Sequence, residues 1–249
     1  MFISGLVSVS FRKESPEAIV AAAAQAGLQG IEWGGDIHVP CGDIENAKRV
    51  SALTEAAGLQ TLAYGSYYRL GDHTTDFNKV LETAQALETS VIRIWGGNKA
   101  SRELTQKERG ALIQEARALA EAADKKQITI TLECHGNTLT DRWESAKNFL
   151  SEVNHPRMQM YWQPNQIYDL PYNLSAAEQL ADHTVNIHVF HWDAEKRYPL
   201  NEGAADWVQY LNVFRKTGKD YGLLLEFMHD DRLESLKETA QTLLKWITE

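Results

Sequence analysis

Four stretches of this chain end an apolar run on a residue able to bind a cation or move a proton. They are "TLECHG" (131–136), "YWQPNQ" (161–166), "NIHVFHW" (186–192) and "LLLEFMHD" (223–230). They offer Glu133, Gln163, His188 and Glu226. A carboxylate closing a buried run is costly unless a cation or hydrogen-bond donors meet it. Two carboxylates, an imidazole and an amide oxygen form a hard-to-borderline donor set. Such a set suits one divalent ion, Mn²⁺, Mg²⁺ or Co²⁺ foremost and Zn²⁺ as an alternative. The same four side chains could instead form a hydrogen-bonded polar plug with no ion.

These residues matter only if the fold brings them together. Short apolar runs recur at 3–9, 28–33, 59–64, 91–95, 128–133, 158–162, 184–190 and 222–227, each followed by a helical pattern. The first helix is opened by the cap-like Ser15-Pro16 pair. The others are expected near 43–57, 74–89, 105–125, 140–153, 174–182, 203–217 and 231–247. Strict alternation of strand and helix implies parallel strands joined by helical crossovers, and eight such units imply a closed (β/α)₈ barrel. No Pro- or Gly-rich linker interrupts the pattern, so residues 1–249 are read as a single barrel domain. An open doubly wound sheet is disfavoured because "SFRKESPE", after the first run, is not a glycine-rich phosphate loop.

Side chains alternate along a strand. Thr129, Thr131 and Glu133 share one face and Ile128, Ile130 and Leu132 the other. Asn186 and His188 oppose Val185, Ile187 and Val189. Glu226 shares a face with Leu224, while Phe227 falls in phase with Leu223 and Leu225. Gln163 is in phase with Tyr161, and Trp162 faces the other way. The mixed faces should point into the barrel. Glu133, Gln163, His188 and Glu226 would then converge at the carboxyl ends of strands five to eight, where barrels of this kind place their chemistry. Arg93 is in phase with Trp95 and is expected to pair with Glu32, inward-facing on strand two.

Trp33, Trp95, Trp162 and Trp192 lie at or just past strand ends. Trp95, His38, His135 and His191 are candidate substrate contacts, with His38 in the glycine-rich loop "GGDIHVPCGD". "HDDRLE" reads as a helix N-terminus capped by Asp230 or Asp231. The net charge of −9, from 25 basic and 34 acidic residues, argues against nucleic acid or an anionic membrane as partner. The two cysteines form no framework, and the opening "MFISGLVSVSFRKES" turns polar too soon for a signal peptide. A cytoplasmic protein acting on a small molecule is the expectation.

With these four strand ends in view, the whole chain resembles the xylose-isomerase-like barrels, the sugar phosphate isomerase and epimerase family. The resemblance implies one divalent ion held by Glu133, Gln163, His188 and Glu226. Gln163 stands where the family usually has Asp. It implies a sugar or keto-sugar substrate whose enediolate is stabilised by the ion, with Glu133 and Glu226 removing and returning the proton. Return to the opposite face gives epimerisation, and return to the neighbouring carbon gives isomerisation. A dehydratase or lyase on a polyol-like substrate is the alternative enzyme, and a non-catalytic sugar-binding barrel a further one. The abasic-site nuclease branch of the same barrel fits poorly with the negative charge. Arg197 resembles a substrate-binding arginine of the family, and homo-oligomers are implied.

Overall fold

The fold, a computed structural model, describes residues 1–248; residue 249, the last of the expected domain span, lies outside the described residues. Eight parallel strands alternate with eight α-helices, and the sheet closes on itself. The first half of the chain gives β1 (Phe2–Val7), α1 (Pro16–Gln25), β2 (Gly30–Gly34), α2 (Ile44–Ala56), β3 (Gln60–Arg69), α3 (Phe77–Ala86), β4 (Val91–Trp95) and α4 (Gln106–Asp124). The second half gives β5 (Thr129–Glu133), α5 (Trp143–Val153), β6 (Met158–Trp162), α6 (Leu170–Leu180), β7 (Thr184–Val189), α7 (Ala204–Arg215), β8 (Tyr221–Leu225) and α8 (Leu236–Thr248). Neighbouring strands pair in chain order, and the register Phe2↔Tyr221 to Leu6↔Leu225 joins the last strand to the first.

The local chemistry accounts for these elements. Ser15 caps α1, accepting from the Ala18 N–H at 3.3 Å, with Pro16 at the first helical position. Asp43 caps α2 in the same way, and Thr105 with Glu108 forms a reciprocal capping box on α4. The period-2 strands divide the apolar side chains into two shells. Outward residues such as Ile130, Leu132, Ile187, Leu223 and Leu225 pack under the helices. Val7, Val9, Ala63, Tyr161 and Leu224 form a small cluster inside the barrel. Trp162 faces outward as its parity requires and packs edge-on against Trp207, Tyr210 and Phe214. Burying side chains of this size is worth about 1.5–3 kcal/mol each, which makes the outer shell the main source of stability.

Three expectations shift. The first strand stops at Val7, and residues 8–11 turn as a 3₁₀ helix. Strand eight stops at Leu225, and Phe227 adopts φ 51°. That left-handed residue breaks the alternation, so Phe227 turns toward the barrel mouth rather than outward with Leu223 and Leu225. The last helix starts at Leu236, beyond Asp230 and Asp231. Asp230 instead closes a preceding turn, accepting from the Arg232 N–H at 3.1 Å and the Ser235 hydroxyl at 2.6 Å. Asp231 pairs with Arg197.

Candidate active site

The inward faces of β5, β6, β7 and β8 deliver their polar residues to one buried point. Ligand atoms of Glu133, His188 and Glu226 lie within 4.8 Å of one another. His188 is fully buried, and its Nδ1 lies 3.5 Å from Glu226 Oε2 and 3.9 Å from Glu133 Oε1. Gln163 joins from the strand next door, its Oε1 2.8 Å from the same Nδ1. The Gln163 amide nitrogen donates to the Cys134 carbonyl at 2.9 Å, which turns the oxygen toward the cluster. Glu226 is placed by backbone: its N–H donates to Val189 O at 3.0 Å, and the next N–H, of Phe227, donates to Ser10 Oγ at 2.8 Å.

A second layer lies deeper in the barrel. Arg93 is buried and donates through Nε to Glu32 Oε1 at 2.8 Å and through Nη1 to Glu133 Oε2. The expected Glu32–Arg93 pair is thus present, with Glu133 as an added partner. Burial opposes ionisation of Glu32, but Arg93 and His188 outweigh it and hold its pKa down at about 2. Burial likewise opposes the charge on Arg93, and Glu133 with Glu32 overrides it, keeping the guanidinium firmly protonated. For His188 burial disfavours the cation, while Glu226, Glu32 and Glu133 together raise its pKa. Burial raises the pKa of Glu226, reinforced by Glu133 and Glu32 and opposed by His188 and Arg93.

The donor set fits a divalent cation. Three buried carboxylates outnumber the one permanent cation, the Arg93 guanidinium, and their excess negative charge raises the His188 pKa. That excess is what a doubly charged ion neutralises, and the converging oxygens and nitrogen are of the types such ions accept. The residues able to hold it are Glu133, His188 and Glu226, with the Gln163 oxygen beside them.

Above this floor opens a cavity of about 730 Å³ at the carboxyl ends of the strands. Trp95 and His135, both expected as contacts, line it and stack at 4.5 Å with 20° between their planes. The Arg69 guanidinium covers the Trp95 ring at 3.5 Å. Arg197 stands at the edge, over Trp192 and Phe227, which do line the cavity. His38 and His191 lie elsewhere. His38 is buried behind β2, its Nδ1 3.0 Å from Ser8 Oγ and its ring edge-on to Trp33. His191 lines a separate pocket of about 190 Å³ with Asp206 and Tyr210. Of the four tryptophans, Trp95 and Trp192 line the main cavity, and Trp33 and Trp162 belong to the outer shell. Sequence reasoning passed over Arg12, Tyr67, Arg102, Arg142 and Asn165, which complete the wall. All but Tyr67 come from loops after strands, where no period marks direction. Loop arginines in an acidic chain were the available signal.

Among characterised proteins, a 3-dehydroshikimate dehydratase of Bacillus anthracis is 29% identical over 166 residues, 62% of this chain and 59% of that protein. The match therefore spans less than two thirds of the relative's length. In solved structures, a probable 3-DHS dehydratase involved in petrobactin synthesis from Bacillus anthracis superposes with TM-score 0.79 at 23% identity, over 98% of this chain and 99% of its own. A D-psicose 3-epimerase from Clostridium cellulolyticum H10, solved with D-tagatose, superposes with TM-score 0.73 at 13% identity, over 98% and 97%. At these identities the two superpositions establish a shared barrel fold. Residues 20–249 match the family model described as the xylose isomerase-like TIM barrel, and this chain, with its closed eight-stranded sheet, belongs to that family.

Proposed function

We propose that the protein is a metal-dependent enzyme that removes a proton next to a carbonyl in a small polyhydroxylated substrate, and that the substrate carries an anionic group. The carrying observation is the pair Glu133 and Glu226 on the floor of a cavity whose wall holds Arg12, Arg102 and Arg142. A divalent cation held by Glu133, Gln163, His188 and Glu226 supplies electrophilic stabilisation of the oxygen that gains charge. The protein's own groups do the rest. Glu133 Oε1, the oxygen not taken by Arg93, and the Glu226 carboxylate are placed to take and return the proton. The Trp95–His135 stack offers a flat wall for the C–H face of the substrate. Arg102 has no hydrogen-bond or ion-pair partner among the described residues and is free to meet a carboxylate.

With an anionic substrate, dehydration is the favoured outcome. Loss of the α-proton followed by departure of a β-hydroxyl releases one water and leaves an unsaturated ketone. A carboxylate-bearing β-hydroxy ketone, the class to which 3-dehydroshikimate belongs, suits Arg102, the wall arginine left without an acidic partner where Arg12 pairs with Asp36 and Arg142 with Glu144. Isomerisation or epimerisation of a keto-sugar is the second reading, supported by the two carboxylates meeting around His188, one positioned to remove and the other to return a proton. The test is turnover by protein loaded with Mn²⁺ or Co²⁺, offered 3-dehydroshikimate and D-tagatose in separate assays with mass detection. Loss of one water from the acid, abolished by chelator, is the expected result. A product of unchanged mass from the ketose supports the second reading. Turnover undiminished by chelator refutes the metal-dependent reading.

A further inference from the structure

Glu32 does not line the cavity, yet it faces one proposed ligand, His188, from behind and reaches a second, Glu133, through Arg93. It sits on β2, paired with Val7 of β1 and Ala63 of β3, and is fully buried. Its Oε1 accepts from Arg93 Nε at 2.8 Å. Its Oε2 has no hydrogen-bond partner among the described residues and lies 3.6 Å from His188 Nε2, itself unpartnered and fully buried. The opposite ring nitrogen, Nδ1, is the one that looks into the cluster of Gln163, Glu226 and Glu133. The Tyr161 ring meets the imidazole edge-on at 4.9 Å and 90°, which holds its plane. Gly65 on β3 makes room for this arrangement. A Cβ there would stand 2.6 Å from Glu32 Oε1 and 2.7 Å from Arg93 Nη2.

We infer that Glu32 is a positioning residue that prepares His188 and Glu133 for the cation, an inference that rests on the metal-dependent reading above. Nδ1 donates to Gln163 Oε1; a carboxylate behind Nε2 favours a proton there, so that a cation taking the place of the Nδ1 proton leaves the ring neutral and protonated on Nε2. The same carboxylate anchors Arg93, whose Nη1 takes Glu133 Oε2 and leaves Oε1 turned to the cluster. One side chain thus sets the proton of one ligand and the orientation of another.

The test compares wild type, Glu32→Gln and Glu32→Asp by Co²⁺ titration, following visible absorption and calorimetry. It adds ¹⁵N NMR of the histidine rings in the Zn²⁺-loaded wild type. In Glu32→Gln the amide can present N–H to Nε2 and favour the wrong tautomer. Co²⁺ affinity should then fall by about 10–100-fold, with an altered visible spectrum. Glu32→Asp keeps the acceptor and should recover part of the affinity. The Zn²⁺-loaded wild type should show His188 protonated on Nε2 and not on Nδ1, a readout that needs no variant to fold. Equal Co²⁺ affinity in wild type and Glu32→Gln, or a proton on Nδ1, overturns the positioning role and leaves the metal site standing. A wild type that binds neither ion overturns both.

Discussion

Replacing Arg93 by methionine is the sharpest perturbation of the barrel floor. The side chain is 2% exposed and ion-pairs with Glu32 and Glu133, themselves 0% and 4% exposed. Methionine restores much of the volume but none of the charge, so two carboxylates lose their common cation. Removing one partner of a buried ion pair costs about 3–5 kcal/mol. For a chain of this size each kcal/mol moves the melting temperature by about 2–4 °C, which gives a fall of about 6–20 °C. The pH dependence supplies the sign. In the wild type Glu32 has its pKa lowered to about 2, so its contribution is present above the unfolded carboxylate pKa and is lost as pH falls through about 2. Without Arg93, burial dominates and raises that pKa above the unfolded value. The contribution of the neutral acid is then present at low pH and lost as pH rises. The Arg93→Met defect should therefore be larger at pH 8 than at pH 5. Calorimetric melting of both proteins at the two pH values, with chelator present, measures it. A fall of less than about 2 °C at pH 8, or the same fall at both pH values, would refute the account of the floor as a charge network held by one guanidinium.

Three further outcomes are expected. Gln163→Asp places an anion where an amide oxygen faces His188, so Mn²⁺ should bind more tightly by calorimetry; unchanged affinity argues against coordination by residue 163. Gly65→Ala forces a methyl into the Glu32–Arg93 pair and should destabilise by about 1–3 kcal/mol in urea unfolding; an unaltered midpoint would mean the pair shifts freely. Arg102→Ala should leave the melting temperature unchanged and raise KM for the anionic substrate with little change in kcat, since Arg102 is exposed at the wall and unpaired among the described residues; an equal loss for a neutral substrate would place its role elsewhere.

The strands were legible and the loops were not. Glu133 and His188 follow from alternation because they lie within β5 and β7, and Gln163, one residue past the end of β6, keeps the phase of that strand. The same rule placed Glu226 correctly but failed one residue later, where Phe227 leaves the strand conformation. The Arg93–Glu32 pair could be expected from phase within each strand. That Arg93 also reaches Glu133 depends on the register Arg93↔Thr131 between β4 and β5, which no single strand encodes. His38, His191 and Arg102 sit on loops, whose paths are set by partners distant in sequence, such as Ser8 for His38. Polar type alone could not sort these into wall and bystander.

The seam between β1 and β8 has a consequence for how the molecule comes into being. Glu226 reaches its place only after the final strand has docked against both Val189 of β7 and the opening strand. Pairings between segments so far apart in the chain carry the largest loop-closure cost and tend to form late. A nascent or partly unravelled molecule can hold most of its helices and still lack the cradle. A cation held by Glu133, His188 and Glu226 would bind only the closed ring and so act as a latch on the completed circle.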